Sequence, residues 1–234
     1  MKTIHLLILG ILSLFCLSCG TVVKKLSGFK DPKVENKKSV NDFTAKNELD
    51  IQNNYFLAIN SVSDKDEIQA NFLFSVSLDM LIFDDQGNRY CYNGTQECSG
   101  VQLQEMASEF KNKYKICEKD EIEEYFSYSD LNTFLDKLTD SSGNKVTKDN
   151  LPKADFYIFE LWNKYSKKKK HIKEDFQFTK DIAQKSDIDF AIIYVNTDLL
   201  EEWGLEKGKK VKTKFKYNKG RSFSINFGDL PFKE

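Results

Sequence analysis

The C-terminal half of the chain carries the clearest apolar and polar pattern. Residues 156–162 (FYIFELW) and 188–195 (IDFAIIYV) are short apolar runs of the kind that form buried strands. Between them, Ile172, Phe176 and Ala183 recur at helical spacing. A strand, a helix and a second strand in this order form a βαβ unit. We therefore expect two parallel strands joined by a right-handed crossover.

The end of the chain alternates strictly and predicts an antiparallel hairpin. Lysines alternate with apolar residues before a turn at residues 218–220, and serines and an asparagine alternate with apolar residues after it. The apolar positions are Val211, Thr213, Phe215, Tyr217, Phe223, Ile225 and Phe227, and the lysines are Lys210, Lys212, Lys214 and Lys216. We expect the apolar face to join the core and the lysine face to be solvated, protecting a sheet edge.

The first half predicts a hairpin followed by two helices. Residues 80–92 contain two apolar runs separated by a turn in which Gly87 supplies the positive φ. Ser99 and Gln102 form a capping box that precedes a helical pattern reaching Tyr114. Ser129 is the expected cap of a second helix, with Leu131, Phe134, Leu135 and Leu138 on one face. Residues 55–59 and 71–76 are strands or short helices, which periodicity does not separate.

These elements predict an α+β or α/β fold with a mixed sheet, flanking helices and a closing antiparallel hairpin. The loop at residues 139–152 is the expected boundary between two halves, residues 51–150 and 151–234. The two halves form either separate units or one domain.

The N-terminus resembles that of bacterial lipoproteins. Residues 1–18 have a charged start and an apolar core too short to span a bilayer, as in a secretory signal. They end in Leu17-Ser18-Cys19-Gly20, which resembles the lipobox, although Cys16 stands where the family usually has Leu. The resemblance implies cleavage before Cys19, lipidation of Cys19 and attachment to the cell-envelope membrane. The alternative is an ordinary signal peptide and a soluble periplasmic protein.

Residues 19–50 are polar and lack apolar periodicity, so we expect a lipidated cysteine followed by a flexible tether.

A second resemblance concerns residues 154–198, whose strand, loop, helix and strand are similar to the opening of a thioredoxin-like domain. The hairpin at 80–92 and the helix at 101–116 resemble the closing part of that fold, but they precede the βαβ unit. The loop at 163–171 lacks the family's Cys-x-x-Cys motif, and no proline matches its cis-proline. The resemblance implies a fold and no activity.

Composition excludes several kinds of site. The formal net charge of −1 argues against a nucleic-acid partner, which usually requires a basic face. The chain has 2 histidines, and loss of the signal would leave only His171, so a zinc site with two histidines is excluded. The aspartates at 79–85 lack the oxygen spacing of a calcium loop. We expect no metal and no cofactor.

The cysteines and a lysine run supply the remaining candidate residues. Cys91 and Cys98 flank Asn93-Gly94, so in an oxidising envelope we expect a local disulfide between them, with Cys117 as a buried apolar residue. Lys167, Lys168, Lys169, Lys170 and His171 form the strongest charge run. It is either a solvated loop that can pair with the acidic run at 118–124, or a contact surface for an acidic partner or anionic headgroups.

No motif in the chain specifies a reaction. The sequence therefore predicts a non-enzymatic binding module of the envelope, with a membrane anchor and an envelope protein as its partner. The alternatives are a degenerate thioredoxin-like domain with a redox-derived role, or a hydrolase that uses carboxylates alone.

Overall fold

The structure, a computed structural model, describes residues 24, 27–49, 51, 54–59, 65–74, 80–95, 99–118, 128–217 and 223–233. The helices within this part are α1 (Lys37–Lys46), α2 (Lys65–Phe74), α3 (Ser99–Lys113), α4 (Leu131–Leu135) and α5 (Lys169–Lys185). The strands are β1 (Asn54–Leu57), β2 (Met80–Asp84), β3 (Arg89–Tyr92), β4 (Tyr114–Ile116), β5 (Leu138–Thr139), β6 (Phe156–Trp162), β7 (Phe190–Asn196), β8 (Thr213–Tyr217) and β9 (Phe223–Phe227). None of the described helices is both long enough and apolar enough to cross a bilayer.

Seven strands form one mixed sheet in the order β4-β3-β2-β6-β7-β1-β5. β6, β7 and β1 are parallel neighbours, and the remaining pairs are antiparallel. The predicted βαβ unit and the predicted hairpin at 80–92 are confirmed, as is the mixed α+β fold class. Because β1 to β5 and β6 to β7 share this sheet, the two halves of the sequence are joined through it.

The central strand β6 is buried on both faces of the sheet. Phe159 packs against Phe83 and Phe134 on one face, with ring centroids 5.8 and 5.0 Å away. Ile158 belongs to a second cluster on the other face, which includes Met106 of α3 and Ile182 of α5. Successive strand residues point to opposite faces, so a continuous apolar run is what two covering layers require.

Two helix predictions need correction. Glu109 has non-helical φ and ψ of −137° and 27°, and the chain leaves α3 at Lys113, so Tyr114 begins β4 instead of ending the helix. Asp130, not Ser129, caps α4, accepting a hydrogen bond from the Thr133 amide at 2.9 Å. Leu138 lies beyond this short helix and pairs with Leu57 in β1. At Tyr114 and at Leu138, sheet pairing overrides the local helical pattern.

The predicted flexible tether is wrong for residues 27–49. Phe29, Val34 and Val40 are buried, and Asn36 caps α1 through a capping box with Ser39. The amide of Val34 donates to the Lys209 carbonyl at 2.8 Å, so the segment pairs with chain far away in sequence. Local periodicity does not reveal such pairing. Residues 19–23 lie outside the described part of the chain.

The C-terminal hairpin is confirmed as a separate two-stranded sheet of β8 and β9. Val211 and Thr213 are buried, whereas Lys210, Lys212 and Lys214 are exposed. Its tip, residues 218–222, and the side chain of Lys216 lie outside the described part.

Candidate functional site

Polar residues follow β6 and β7 at the edge where these parallel strands end. Asn163 follows β6, Asn196 ends β7, and Thr197 and Asp198 come next; all four are buried. In open parallel sheets, this carboxyl edge is where ligands usually bind. The contacts of these side chains therefore decide whether a ligand has groups to bind here.

The chain itself satisfies these polar groups. The Asn163 Oδ1 atom accepts hydrogen bonds from the amides of Tyr165 at 3.0 Å and Ser166 at 2.7 Å. The Asp198 carboxylate accepts from the Lys164 amide at 3.1 Å and from Asn196 Nδ2 at 2.9 Å. Burial raises the pKa of Asp198 to about 6, against the opposing effect of these bonds.

The N-terminal segment closes this edge through Glu35. Its carboxylate lies 3.0 Å from Lys164 Nζ and also accepts from the Tyr165 hydroxyl. Its backbone bonds to the chain beyond β7, donating to Leu199 at 2.7 Å and accepting from Glu201 at 2.9 Å. Burial would raise the pKa of Glu35, but the hydrogen bonds outweigh it and hold the pKa below its usual range.

A second buried carboxyl, Glu160, lies in the middle of β6 and has no such network. Its Oε2 atom has no hydrogen-bond partner within the described part of the molecule. Burial raises its pKa to about 8, against a hydrogen bond from Thr179 that lowers it. Glu160 is therefore largely a neutral carboxylic acid at neutral pH.

The structure places the lysine run at the start of α5 and gives two of its lysines, together with His171, acidic neighbours. Lys167 Nζ lies 2.8 Å from the Asp175 carboxylate, and both side chains are mostly buried. Lys170 Nζ lies 3.5 Å from Glu174. Glu174 also lies 2.9 Å from His171 Nδ1.

The other two lysines of the run face the N-terminal segment. Lys169 Nζ lies over the Phe43 ring, 5.7 Å from its centroid. Lys168 packs against Gly28, whose φ of +79° and lack of a side chain allow the approach, since a Cβ there would overlap the lysine. Glu118, the part of the acidic run at 118–124 that the structure describes, pairs with Lys115 instead of the run. Intramolecular contacts thus account for much of the run.

An open groove of about 560 Å³ lies at the opposite, amino ends of β6 and β7. It is lined by Tyr90, Phe110, Lys111, Tyr114, Lys115, Ile116, Asp155, Phe156, Asp187 and Ile188. The aromatic residues form one packed layer, with the Phe110 ring centroid 4.7 Å from that of Phe156 and 5.0 Å from that of Tyr114. A second depression of about 450 Å³ shares Asp187 and Ile188 with this groove.

The groove borders β4, which lies at the end of the seven-stranded order. The Asn93 amide donates to the Lys113 carbonyl at 2.7 Å, and the Cys117 amide donates to Arg89 at 2.9 Å. Because hydrogen-bonded positions alternate along an antiparallel strand, the backbone of Ile116 faces away from β3. Its side chain is 52% exposed, so an apolar group stands beside an outward-facing backbone edge.

The disulfide at this edge differs from the predicted one. The structure joins Cys91 to Cys117, with Cα atoms 4.9 Å apart, and this bond replaces the predicted pairing of Cys91 with Cys98. The reason is the ladder between β3 and β4, in which Cys117 bonds to Arg89 and Lys115 lies opposite Cys91. Cys98 itself lies outside the described residues, as does Cys19.

The sequence did not reveal the groove because its lining comes from four separate segments: β3, the end of α3 with β4, the start of β6, and the start of β7. In its local sequence, each of these aromatic residues has the pattern of an ordinary core residue. The available signal was the unusual density of Phe and Tyr, with 19 and 10 in the chain, which the sequence does not place in space.

Comparison of the chain with family models, curated proteins and solved structures finds no match. The hairpin of β2 and β3 lies beside β6, and α3 contacts α5, so the elements that carry the thioredoxin-like resemblance are neighbours in space. The resemblance itself stays a prediction.

Proposed function

We propose that this protein is a lipoprotein of the bacterial envelope that acts by binding a partner protein, without catalysis. Its anchor is the lipid on Cys19, and its binding site is the groove beside β4. The observation that carries the binding proposal is the combination at β4 of an outward-facing backbone, the exposed side chain of Ile116 and an adjacent aromatic groove.

The proposed occupant is an extended segment of the partner. Such a segment would pair with the outer edge of β4, the last strand in the order of the described sheet, and one of its apolar side chains would enter the groove, as in strand addition to a sheet edge. Charges line two sides of the groove, with Lys111 and Lys115 near β4 and Asp155 and Asp187 at the starts of β6 and β7. A matching segment carries an apolar anchor between an acidic and a basic side chain.

The disulfide suits this role because it ties the end of β4 to β3. A three-residue edge strand is a weak platform by itself, and a covalent link keeps it in the sheet while another strand pairs with it.

Binding is favoured over the carboxylate-hydrolase alternative by the location of the perturbed carboxyls. Glu160 and Asp198, whose pKa values are raised to about 8 and about 6, are buried and do not line the groove. The lysine run remains the alternative contact surface, since Lys168, Lys169 and Lys170 are exposed.

The anchor is tested by comparing two cysteine variants that lie three residues apart. Cys19→Ala should abolish palmitate labelling and either release the protein from the membrane fraction or leave an uncleaved precursor, because lipidation needs the thiol. Cys16→Ala should change neither reading. A Cys19→Ala protein that still takes up palmitate would contradict the lipoprotein assignment.

The binding site is tested by capturing partners from detergent-solubilised envelope with three forms of the protein. Wild type should retain a stoichiometric protein, Ile116→Asp should lose it, and the serine variant of Lys168, Lys169 and Lys170 should keep it. Loss in the serine variant alone would move the site to the lysine run. No stoichiometric protein with any form would contradict the binding module.

A further inference from the structure

A strip of lysines lies on the solvent face of the segment before and within β8. Lys210, Lys212 and Lys214 alternate with buried Val211 and Thr213, so their side chains share the outer face.

Lys33 joins this strip from the N-terminal segment. It forms a β-bridge with Lys210, and directly opposed residues place their side chains on the same face. We call these four residues, Lys33, Lys210, Lys212 and Lys214, the basic strip.

The basic strip has no acidic neighbour that neutralises it within the described residues. None of its four ammonium groups forms an ion pair there, whereas nearby Lys207 and Lys209 pair with Glu201 and Glu206. Across the hairpin, Lys214 lies opposite Asn226, which is uncharged. Asp31, two residues before Lys33 in the sequence, is bound by Lys24 and by the Thr213 amide at 2.8 Å. The strip therefore keeps its positive charge for an external anion.

The chain also brings the basic strip close to the proposed lipid. Lys24 Nζ donates to the Thr213 carbonyl at 3.4 Å, so Lys24 reaches the strand that carries the strip. Lys24 is five positions after Cys19 in the sequence, and a chain of that length spans at most about 18 Å. An anchor at Cys19 thus holds the strip within reach of the membrane surface.

We propose that the basic strip contacts the anionic headgroups of the membrane that holds the anchor. This inference rests on the proposed lipidation of Cys19. Lysines near an anionic surface are attracted within about a Debye length, roughly 8 Å at physiological ionic strength. The anchor places the strip near the surface, and the charges select which face of the domain turns toward it. The groove, at the other end of β6 and β7, then points away from the bilayer.

The test is lysine footprinting of the full lipidated protein reconstituted into vesicles. Acylation rates of the strip lysines, read by mass spectrometry, should fall several-fold in phosphatidylglycerol vesicles compared with phosphatidylcholine vesicles. The exposed control Lys153, just before β6, should be labelled equally in both. The protection should disappear at high salt, and inorganic phosphate added to phosphatidylcholine vesicles should not reproduce it.

Equal labelling of the strip in both vesicles, on protein whose mass includes the acyl chains, would overturn this inference and leave the proposed function standing. Protein that carries no acyl mass would overturn both, because the strip's position near the membrane depends on the anchor.

Discussion

At the carboxyl ends of β6 and β7, polar side chains are buried and hydrogen-bonded to one another and to the backbone that follows β6, whereas at the amino ends aromatic side chains line an open groove. The same two strands, each seven residues long, connect these regions. A carboxyl edge is the common ligand site of parallel sheets, yet here Glu35 fills it. The contacts at the carboxyl ends hold the N-terminal segment in place, and the groove at the amino ends is where we propose that a partner binds.

The largest expected effect on stability comes from the carboxyl ends of β6 and β7, which we call the closed end; the amino ends, with the groove, are the open end. Glu35→Ala removes the acceptor of Lys164 and Tyr165, and the Lys164 side chain is only 12% exposed. Removing one partner of a buried pair leaves an uncompensated charge, so we expect a loss of about 3–5 kcal/mol in the free energy of unfolding, measured with denaturant. Asp42→Ala is the control, because its pair with Lys38 is exposed and should contribute under about 1 kcal/mol. Equal effects of the two variants would show that Glu35 does not hold the N-terminal segment.

The disulfide gives the next effect, at the open end. The bond between Cys91 and Cys117 closes 26 residues, for which the chain-entropy model gives about 3–4 kcal/mol. We expect Cys117→Ser to lose roughly this much stability and Cys98→Ser to change it little. Non-reducing peptide mapping should recover a peptide pair containing Cys91 and Cys117. Recovery of Cys91 joined to Cys98 would restore the pairing expected from the sequence.

Glu160 gives a smaller and pH-dependent effect, midway between the two ends. Its pKa rises from an ordinary 4.5 to about 8, so between these values the folded state binds more protons than the unfolded state. The contribution of Glu160 to the free energy of unfolding therefore falls as pH rises through this window. The Glu160→Gln variant lacks the carboxyl that binds this proton. Its free energy of unfolding relative to that of wild type should therefore rise by about 1 kcal/mol per pH unit between pH 5 and 8.

The difference between variant and wild type is the quantity to follow, since Asp198, with a pKa raised to about 6, contributes the same slope to both proteins below pH 6. Glu48→Gln, at a side chain 88% exposed, is the control for removing a carboxyl that is not buried. A Glu160→Gln protein whose advantage is flat across pH would mean that Glu160 is ionised in the folded state.

Local pattern predicted the parts of this molecule that depend on neighbours in sequence. β6 begins and ends where the apolar run does, and the two hairpins follow from alternation and turn residues such as Gly87, whose φ is +97°. The predicted ends of helices were less accurate, because Leu138 and Tyr114 pair in the sheet with residues that are distant in the sequence.

The features that distinguish the two ends depend on long-range contacts and were not predictable. Neither the contact of Glu35 with Lys164 and Tyr165 nor the pairing of Cys91 with Cys117 has a local signature. The sequence shows the charge of the lysine run, but the ion pair of Lys167 with Asp175 depends on the position of α5 in the structure.

The central claim, that the open end is the binding end, is tested most directly by site-specific photo-crosslinking in the intact envelope. Ile116 and Val101 are both exposed aliphatic residues, 52% and 36% exposed, but Val101 lies in the first turn of α3 and does not line the groove. A benzophenone amino acid at position 116 should give one discrete protein adduct whose crosslinked peptide is an extended apolar segment, and the same group at position 101 should give none. Adducts of equal yield from both positions, or from position 101 alone, would contradict the account.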